Sequence, residues 1–205
     1  ARQLEQTAEA ELHSLSMPRA RFIIQVNPRA GGEGEERSSV PGPLGQDRVE
    51  FYFSANQGES IRPLARVASG GELSRVMLGL KRSLASAGEV GTFVFDEVDT
   101  GIGGAVSEVV GRKLREIASH RQLLCITHQA QIAAYADRHF TVRKEIIEDR
   151  TRSLVIQLSP EERVEEIARM LGGLEITERT REHARELIER CEAYRSSRKE
   201  AVWQS

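Results

Sequence analysis

Cysteine is nearly missing from this sequence: Cys125 and Cys191 are its two thiols, and they lie far apart. That spacing excludes a disulfide framework and a zinc site built on clustered thiolates, and Cys125, inside an apolar run, reads as a small core side chain. Long apolar runs are missing as well. No stretch approaches the length of a membrane span, and the opening ARQLEQTAEAELHSL has no signal-peptide character, so the cytoplasm is the expected compartment. Nor is there an excess of one charge: 29 basic residues face 31 acidic ones, a net charge of −2, which removes any bulk reason to expect binding to nucleic acid or membrane. No internal repeat occurs. A glycine-rich loop ending in Gly-Lys-Ser/Thr, the usual cradle for a triphosphate, is also absent. What is present is 39% apolar content in 205 residues, enough for a sizeable core in one or two domains. The chain starts at Ala1 without a methionine and runs straight into helical sequence, so a piece of something longer is expected.

Leu4, Ala8, Leu12 and Leu15 recur at helical spacing among charged neighbours, predicting an amphipathic helix or the end of a coiled coil that Met17-Pro18 stops. RFIIQV reads as a strand. Residues 27 to 47 are rich in Gly, Pro, Ser and charge without period and read as a mobile loop, and VEFYFSA reads as a second strand paired near the first. From residue 69 helix and strand alternate. GELSRVMLGLKRSLASAG is helical with Leu73, Val76, Met77, Leu80 and Leu84 on one face and Gly88 as its stop; TFVF and QLLCIT are apolar strands, separated by the helix GAVSEVVGRKLREIASH. Strands apolar throughout and separated by helices predict a parallel sheet covered on both faces. QAQIAAYAD reads as a short helix, HFTVRKEII and RSLVIQLS as a hairpin around EDRT, and two charged helices close the chain.

Three places carry candidate chemistry. Asp96 and Glu97 end the TFVF strand, at the carboxyl edge where open parallel sheets collect ligands. Asp96 suits Mg²⁺, held largely through water, and Glu97 could polarise an attacking water; an ordinary polar strand end is the alternative. His128 ends the next strand at the corresponding edge, where it can bond a phosphate or a water, or serve merely as a polar cap. His13, His120, His139 and His183 have no such setting and read as surface or structural. Ser69, Gly70 and Gly71 open a helix whose first turn holds Glu72, so exposed amides and the helix dipole could receive an anion; a plain serine N-cap with a tight turn is the alternative.

In combination these motifs resemble the ABC-type ATPases: VASGGELSR the signature motif, TFVFDE the Walker B strand, DTGIGG the D-loop and ITHQ the switch histidine, in that family's order. The wording of PLARVASGGELSRVMLGLK, FDEVDTGIGGAVSEVVGRKL and CITHQAQIAAYADRHFTVRK is most similar to bacterial DNA-repair relatives of the SMC proteins, most specifically from Leu64 to Lys144. The resemblance implies an α/β fold, the C-terminal lobe of an SMC-like head with a parallel sheet flanked by helices. Residues 1 to 16 would be the end of a returning coiled-coil helix and 17 to 205 the lobe. It further implies Asp96 as the Mg²⁺ residue, Glu97 as catalytic base, His128 as switch histidine, and Ser69, Gly70, Gly71 and Glu72 as the signature that meets ATP of an opposite protomer. Asp99, Thr100, Gly101, Ile102 and Gly103 fall on the D-loop. Many relatives carry aspartate where Gly103 stands, so no carboxylate role passes to it, and Ala68 replaces a common leucine. Implied cofactors are ATP and Mg²⁺; implied partners are an N-terminal lobe carrying the phosphate loop, a second head in an ATP-sandwiched homodimer, and double-stranded or broken DNA. The implied activity is ATP hydrolysis in double-strand-break repair, in the bacterial nucleoid. Rivals are a non-catalytic lobe, a transporter-type ATPase and a metal-dependent phosphohydrolase using Asp96, Glu97, Asp99 and His128 within one chain.

Overall fold

The computed structural model describes residues 1–28, 45–67, 69–83, 91–147, 150–173 and 175–202, without the side chains of 198–202. Ala68, Leu84, Gly88 and most of the segment read as a mobile loop lie outside the described residues. The chain forms two compact units, Ala1–Val90 and Gly91–Ser205.

In the first unit, helix α1 (Arg2–Ser14) precedes strands β1 (Arg21–Pro28) and β2 (Asp47–Ser54), which pair antiparallel, and β3 (Arg62–Pro63) adds to β2. The paired strands reach further than sequence reading placed them, since Asn27, Pro28 and Asp47 belong to the ladder. Alternation puts Phe22 opposite Phe53, Ile24 opposite Phe51 and Val26 opposite Val49 on one face. The apolar spacing of α1 buries Ala8, Leu12 and Leu15 as expected. Its carboxylates do a second job: Phe22 N–H donates to Glu9 Oε1 at 2.9 Å and Ile24 N–H to Glu5 Oε1 at 2.7 Å. Acids one helical turn apart thus occupy the outward amides of alternate β1 residues, which blunts an exposed strand edge.

A short 3₁₀ turn (Leu64–Arg66) leads to helix α2 (Gly70–Ser83). The buried side of α2 is Gly71, Arg75, Val76, Leu78, Gly79 and Leu80, whereas Leu73 and Met77 are exposed. The expected stripe through Leu73 and Met77 is therefore rotated. The reason is close packing on α1: a Cβ on Gly79 would stand 3.3 Å from Glu11 Cβ, so the small residue sets which side of α2 faces α1. An ion pair between Arg82 and Glu11 closes the same contact.

In the second unit, β4 (Thr92–Phe95) and β5 (Gln122–Cys125) pair in parallel through the crossover helix α3 (Gly104–Ala118). A hydrogen bond from Ile126 N–H to Phe95 O at 2.9 Å carries the ladder one residue past β5. The expected cover on both faces is not found: Phe95 is buried, but Val94, Leu124 and Ile126 are 65%, 50% and 61% exposed. Alternate residues of a strand point to opposite faces, and α3 packs against β5 on one of them, so among the described residues the other apolar face lies open.

Helix α4 (Ala130–Ala133) follows β5, and strands β6 (Phe140–Ile147) and β7 (Arg150–Gln157) form the expected antiparallel hairpin. Helix α5 (Pro160–Gly172) starts with a complete capping box, Ser159 Oγ accepting from Glu162 N–H and Glu162 Oε2 accepting from Ser159 N–H. Helix α6 (Glu178–Val202) packs on it, and Ala130, Tyr135, Ile167, Ala184, Leu187 and Cys191 make one buried cluster. Gly111 of α3 is required by this packing, because a Cβ there would lie 2.5 Å from Tyr135 Cδ2.

Candidate functional site

The carboxyl edge of β4–β5 gathers the acids and the histidine. After Phe95 the chain exposes Asp96 and Glu97, then turns inward so that Val98 and Asp99 are buried. The turn is tight: Thr100 N–H donates to Glu97 O at 3.1 Å, and Ile102 N–H to Asp99 O at 3.3 Å. Its sharpness places Glu97 at φ +57°, in the left-handed region that side chains larger than glycine occupy at a cost. The candidate base is thus held on a strained corner, facing water.

Asp99 is 2% exposed, and its Oδ2 is the centre of a small polar network. The Thr127 hydroxyl donates to it, His128 N–H donates to it at 2.9 Å, and His128 Nδ1 stands 3.1 Å away. Thr127 Oγ1 in turn accepts from Gln129 N–H at 3.0 Å. Gln129 Nε2 donates to Ile102 O at 3.3 Å and lies 3.3 Å from His128 Nε2. A buried carboxylate carries a large desolvation cost unless donors surround it, and these donors supply the compensation. The His128 ring itself remains mostly in solvent while one nitrogen is tethered.

Cys125 lies on the inward side of β5 and feels the same charges. Burial first, then the charges of Asp99 and Asp96, push its thiol up to about 12. The thiol is therefore a neutral filler beneath the acids, as the sequence suggested, and not a nucleophile.

In the first unit, Ser69 precedes α2. Leu73 N–H donates to Ser69 O at 3.0 Å, and Glu72 N–H reaches Ser69 Oγ at the long distance of 3.4 Å. The serine N-cap is real but slack, Gly70 is exposed and Gly71 is buried. The first amides of a helix have no partner within it, so this terminus retains the capacity to meet an anion.

The structure brings together Asp96, Glu97, Asp99, Ile102 and His128 of the predicted site at one strand edge. Thr100, Gly101 and Gly103 shape the turn into α3, with Gly101 at φ +74° and Gly103 as the N-cap. Sequence reasoning left Thr127 and Gln129 without a role. Their signal was weak: a hydroxyl and an amide flanking a strand-end histidine are common polar loop residues, and their use depends on where Asp99 points. Among the described residues no group of three or more His, Cys, Asp or Glu is arranged to hold a metal.

Comparison with known proteins gives the following. No family model matches the chain. It is 47% identical over 180 residues to the DNA repair protein RecN of Treponema pallidum (strain Nichols), covering 88% of this chain and 31% of that protein. To the DNA repair protein RecN of Bacillus subtilis (strain 168) it is 40% identical over 203 residues, covering 96% of this chain and 35% of that protein. The chain spans about a third of the length of these curated relatives. Among solved structures, the Smc head domain with a coiled coil and joint derived from Pyrococcus yayanosii superposes with a TM-score of 0.53 at 20% identity, covering 80% of this chain and 28% of that one. That likeness establishes an α/β fold shared with an SMC head.

Proposed function

The chain is homologous to about a third of the length of RecN proteins, and from that premise we propose that it is the C-terminal lobe of an SMC-like ATPase head acting in DNA repair, completed by an N-terminal lobe that carries the phosphate loop. The observation that carries the reading is the edge of β4–β5, where the acid pair Asp96–Glu97 leaves one strand and His128, tethered to buried Asp99, leaves its hydrogen-bonded neighbour. The open apolar face of Val94, Leu124 and Ile126 supports incompleteness, since a contiguous apolar patch beside a functional edge marks a surface that another polypeptide covers.

The donor set fits magnesium. Mg²⁺ binds through one or two carboxylates with phosphate and water supplying the rest, and the exposed Asp96 carboxylate at the end of β4 meets that need where a cluster of three ligands would not be required. When bound, ATP and Mg²⁺ supply a transferable phosphoryl group whose negative charge the metal partly neutralises. Asp96 would hold the metal, largely through water. Glu97, exposed on its corner, would orient and polarise the attacking water, and His128 would fix that water or a phosphate oxygen from the neighbouring strand end. Ser69 and the amides of Gly70 and Gly71 would cap the triphosphate of an opposite protomer, so that ATP joins two heads. Asp99, Thr100, Gly101, Ile102 and Gly103, as the D-loop, would carry nucleotide state across that junction. Helix α1, on this reading, is the end of the returning coiled coil, and the site of action is DNA in the bacterial cytoplasm.

The test is reconstitution. This chain alone should show negligible Mg²⁺-dependent ATP hydrolysis, and mixing it with an N-terminal lobe of a RecN protein should raise turnover well above the sum of the parts. Robust turnover by this chain alone, or none after a verified complex forms, would overturn the proposal.

A further inference from the structure

We infer that Tyr194 of α6 is a positioning residue for the edge that carries Asp96, Glu97 and His128: it clasps α3 to the segment after α4 and so fixes the spacing of the two loops that lead into those helices. The inference rests on the proposed role of that edge and adds the residue, on the last helix, that holds its two halves in place.

Both loops of the edge run directly into a helix. The turn after β4 passes through Asp99 and Ile102 to Gly103, the N-cap of α3, and the loop after β5 passes through Thr127 and His128 to Gln129, the N-cap of α4. Near the edge Asp99 ties them, its Oδ2 accepting from the Thr127 hydroxyl and from His128 N–H at 2.9 Å. A single tie leaves the two helices free to pivot about it. A second tie lies at Arg112, about 13 Å along α3 from its N-cap at a rise of about 1.5 Å per residue. There Gly111 lets the segments close up, since a Cβ on it would stand 2.5 Å from Tyr135 Cδ2 and 3.1 Å from Gln131 O. Arg112 Nε donates to the Tyr135 hydroxyl at 3.1 Å, and an ion pair between Arg115 and Asp137 joins the same two segments.

Helix α6 closes this seam, and Tyr194 touches both of its sides. Its ring meets Tyr135 edge-on, with centroids 5.9 Å apart and planes at 89°. Its hydroxyl donates to Glu116 Oε1 of α3 at 2.9 Å, and the Arg112 guanidinium lies over its face, 5.4 Å from the centroid. Edge-on rings and a cation over a ring each favour one geometry, so these contacts hold an angle as well as a distance. Arg190 donates to Glu108 at 3.3 Å and Arg195 pairs with Asp137 at 3.0 Å, but these pairs are open to solvent and add little. Tyr194 packs against the α4–α5–α6 cluster, so the clasp stands on the part of the unit that is closed throughout. It acts on the edge only through α3 and α4, where a displacement of about 1 Å is enough to lower a rate severely.

The test has two arms. In the first, amide hydrogen exchange of the 205-residue chain reads the edge without nucleotide. Tyr194→Leu should speed exchange of the His128 and Ile102 amides, which donate to Asp99, by about tenfold or more while the β6–β7 amides stay as in the parent. Tyr194→Phe, which keeps the ring and loses only the bond to Glu116, should stay within about threefold of the parent. Unchanged exchange at His128 in Tyr194→Leu overturns the inference, and so does an equal rise throughout the hairpin, which would mark general loosening. In the second arm, with the chain completed by the N-terminal lobe of a RecN protein, Tyr194→Leu should lower kcat about tenfold with KM for ATP unchanged, and Tyr194→Phe should retain most of the parental rate. Parental turnover in Tyr194→Leu, in a head that Glu97→Gln stalls, overturns the inference. Turnover that Glu97→Gln leaves intact would instead remove the proposed role of the edge, and the exchange arm would still decide whether Tyr194 holds it.

Discussion

The α4–α5–α6 cluster and the β4–β5 sheet lie in the same compact unit and solve the burial problem differently. In the cluster every side is covered: Ile167, Ala168 and Ala184 are each 0% exposed, and Leu187 and Cys191 are closed over by their neighbours. In the sheet one face is finished by α3 while Val94, Leu124 and Ile126 keep half or more of their surface in water. Burial of a side chain such as isoleucine is worth about 1.5–3 kcal/mol, so three such residues left exposed represent a driving force for association that the chain does not satisfy internally. The difference separates apolar surface that this polypeptide covers by itself from apolar surface that it leaves in water.

The largest effect that would test this contrast is in the closed region. Ile167→Ala should destabilise the chain by about 3 kcal/mol, because lost transfer energy and a residual cavity add at a site with no slack to collapse. Urea unfolding would show it as a lower midpoint with an unchanged slope. A loss of only a few tenths of a kcal/mol would mean that the cluster is not packed as tightly as its burial indicates.

In the open region the expectation reverses. Leu124→Lys, at a position half in solvent, should alter the stability of this chain by no more than about 0.5 kcal/mol. Its effect should appear in complex formation with the N-terminal lobe, weakened by about tenfold or more, since a lysine replaces an apolar side chain that the complex would bury. Titration of one lobe with the other would measure it. Unchanged affinity would show that this face is not where the proposed N-terminal lobe docks.

How much of this could be read in advance follows the same division. Features set by local pattern were legible: the α1 spacing of Ala8, Leu12 and Leu15, the β6–β7 hairpin, the parallel β4–β5 pair, and the placing of Asp96, Glu97 and His128 at one edge. Features set by what one element meets on another were not. TFVF and QLLCIT read as doubly buried because apolar content says that a face avoids water, not whose side chains will cover it. The α2 face was misplaced because Gly79, featureless in the sequence, fixes the approach of α1. Asp99 was visible as a D-loop position, and its partnership with Thr127 and His128 required two strand ends to be brought side by side. Gly111 likewise shows no motif, and its need appears only when Tyr135 is seen against α3.

The smallest effect expected lies at the boundary, on Glu97. Its φ of +57° costs a residue with a Cβ about 1–2 kcal/mol, a cost that glycine escapes, while glycine gives back part of the gain through the greater freedom of its unfolded chain. Glu97→Gly should therefore stabilise this chain by about 0.5–1 kcal/mol, and Glu97→Gln, which keeps the Cβ and the strain, should leave stability where it was. On the proposed function, both substitutions should stall turnover in a completed head, and Glu97→Gln should still permit nucleotide-induced head association, because each removes the carboxylate proposed to polarise water. Stability and activity then move in opposite directions for glycine and part company for glutamine, as a corner strained for its chemistry requires. Parental turnover in Glu97→Gln would remove Glu97 from the reaction, and no gain in the melting midpoint for Glu97→Gly would show that the turn relaxes around its side chain without strain.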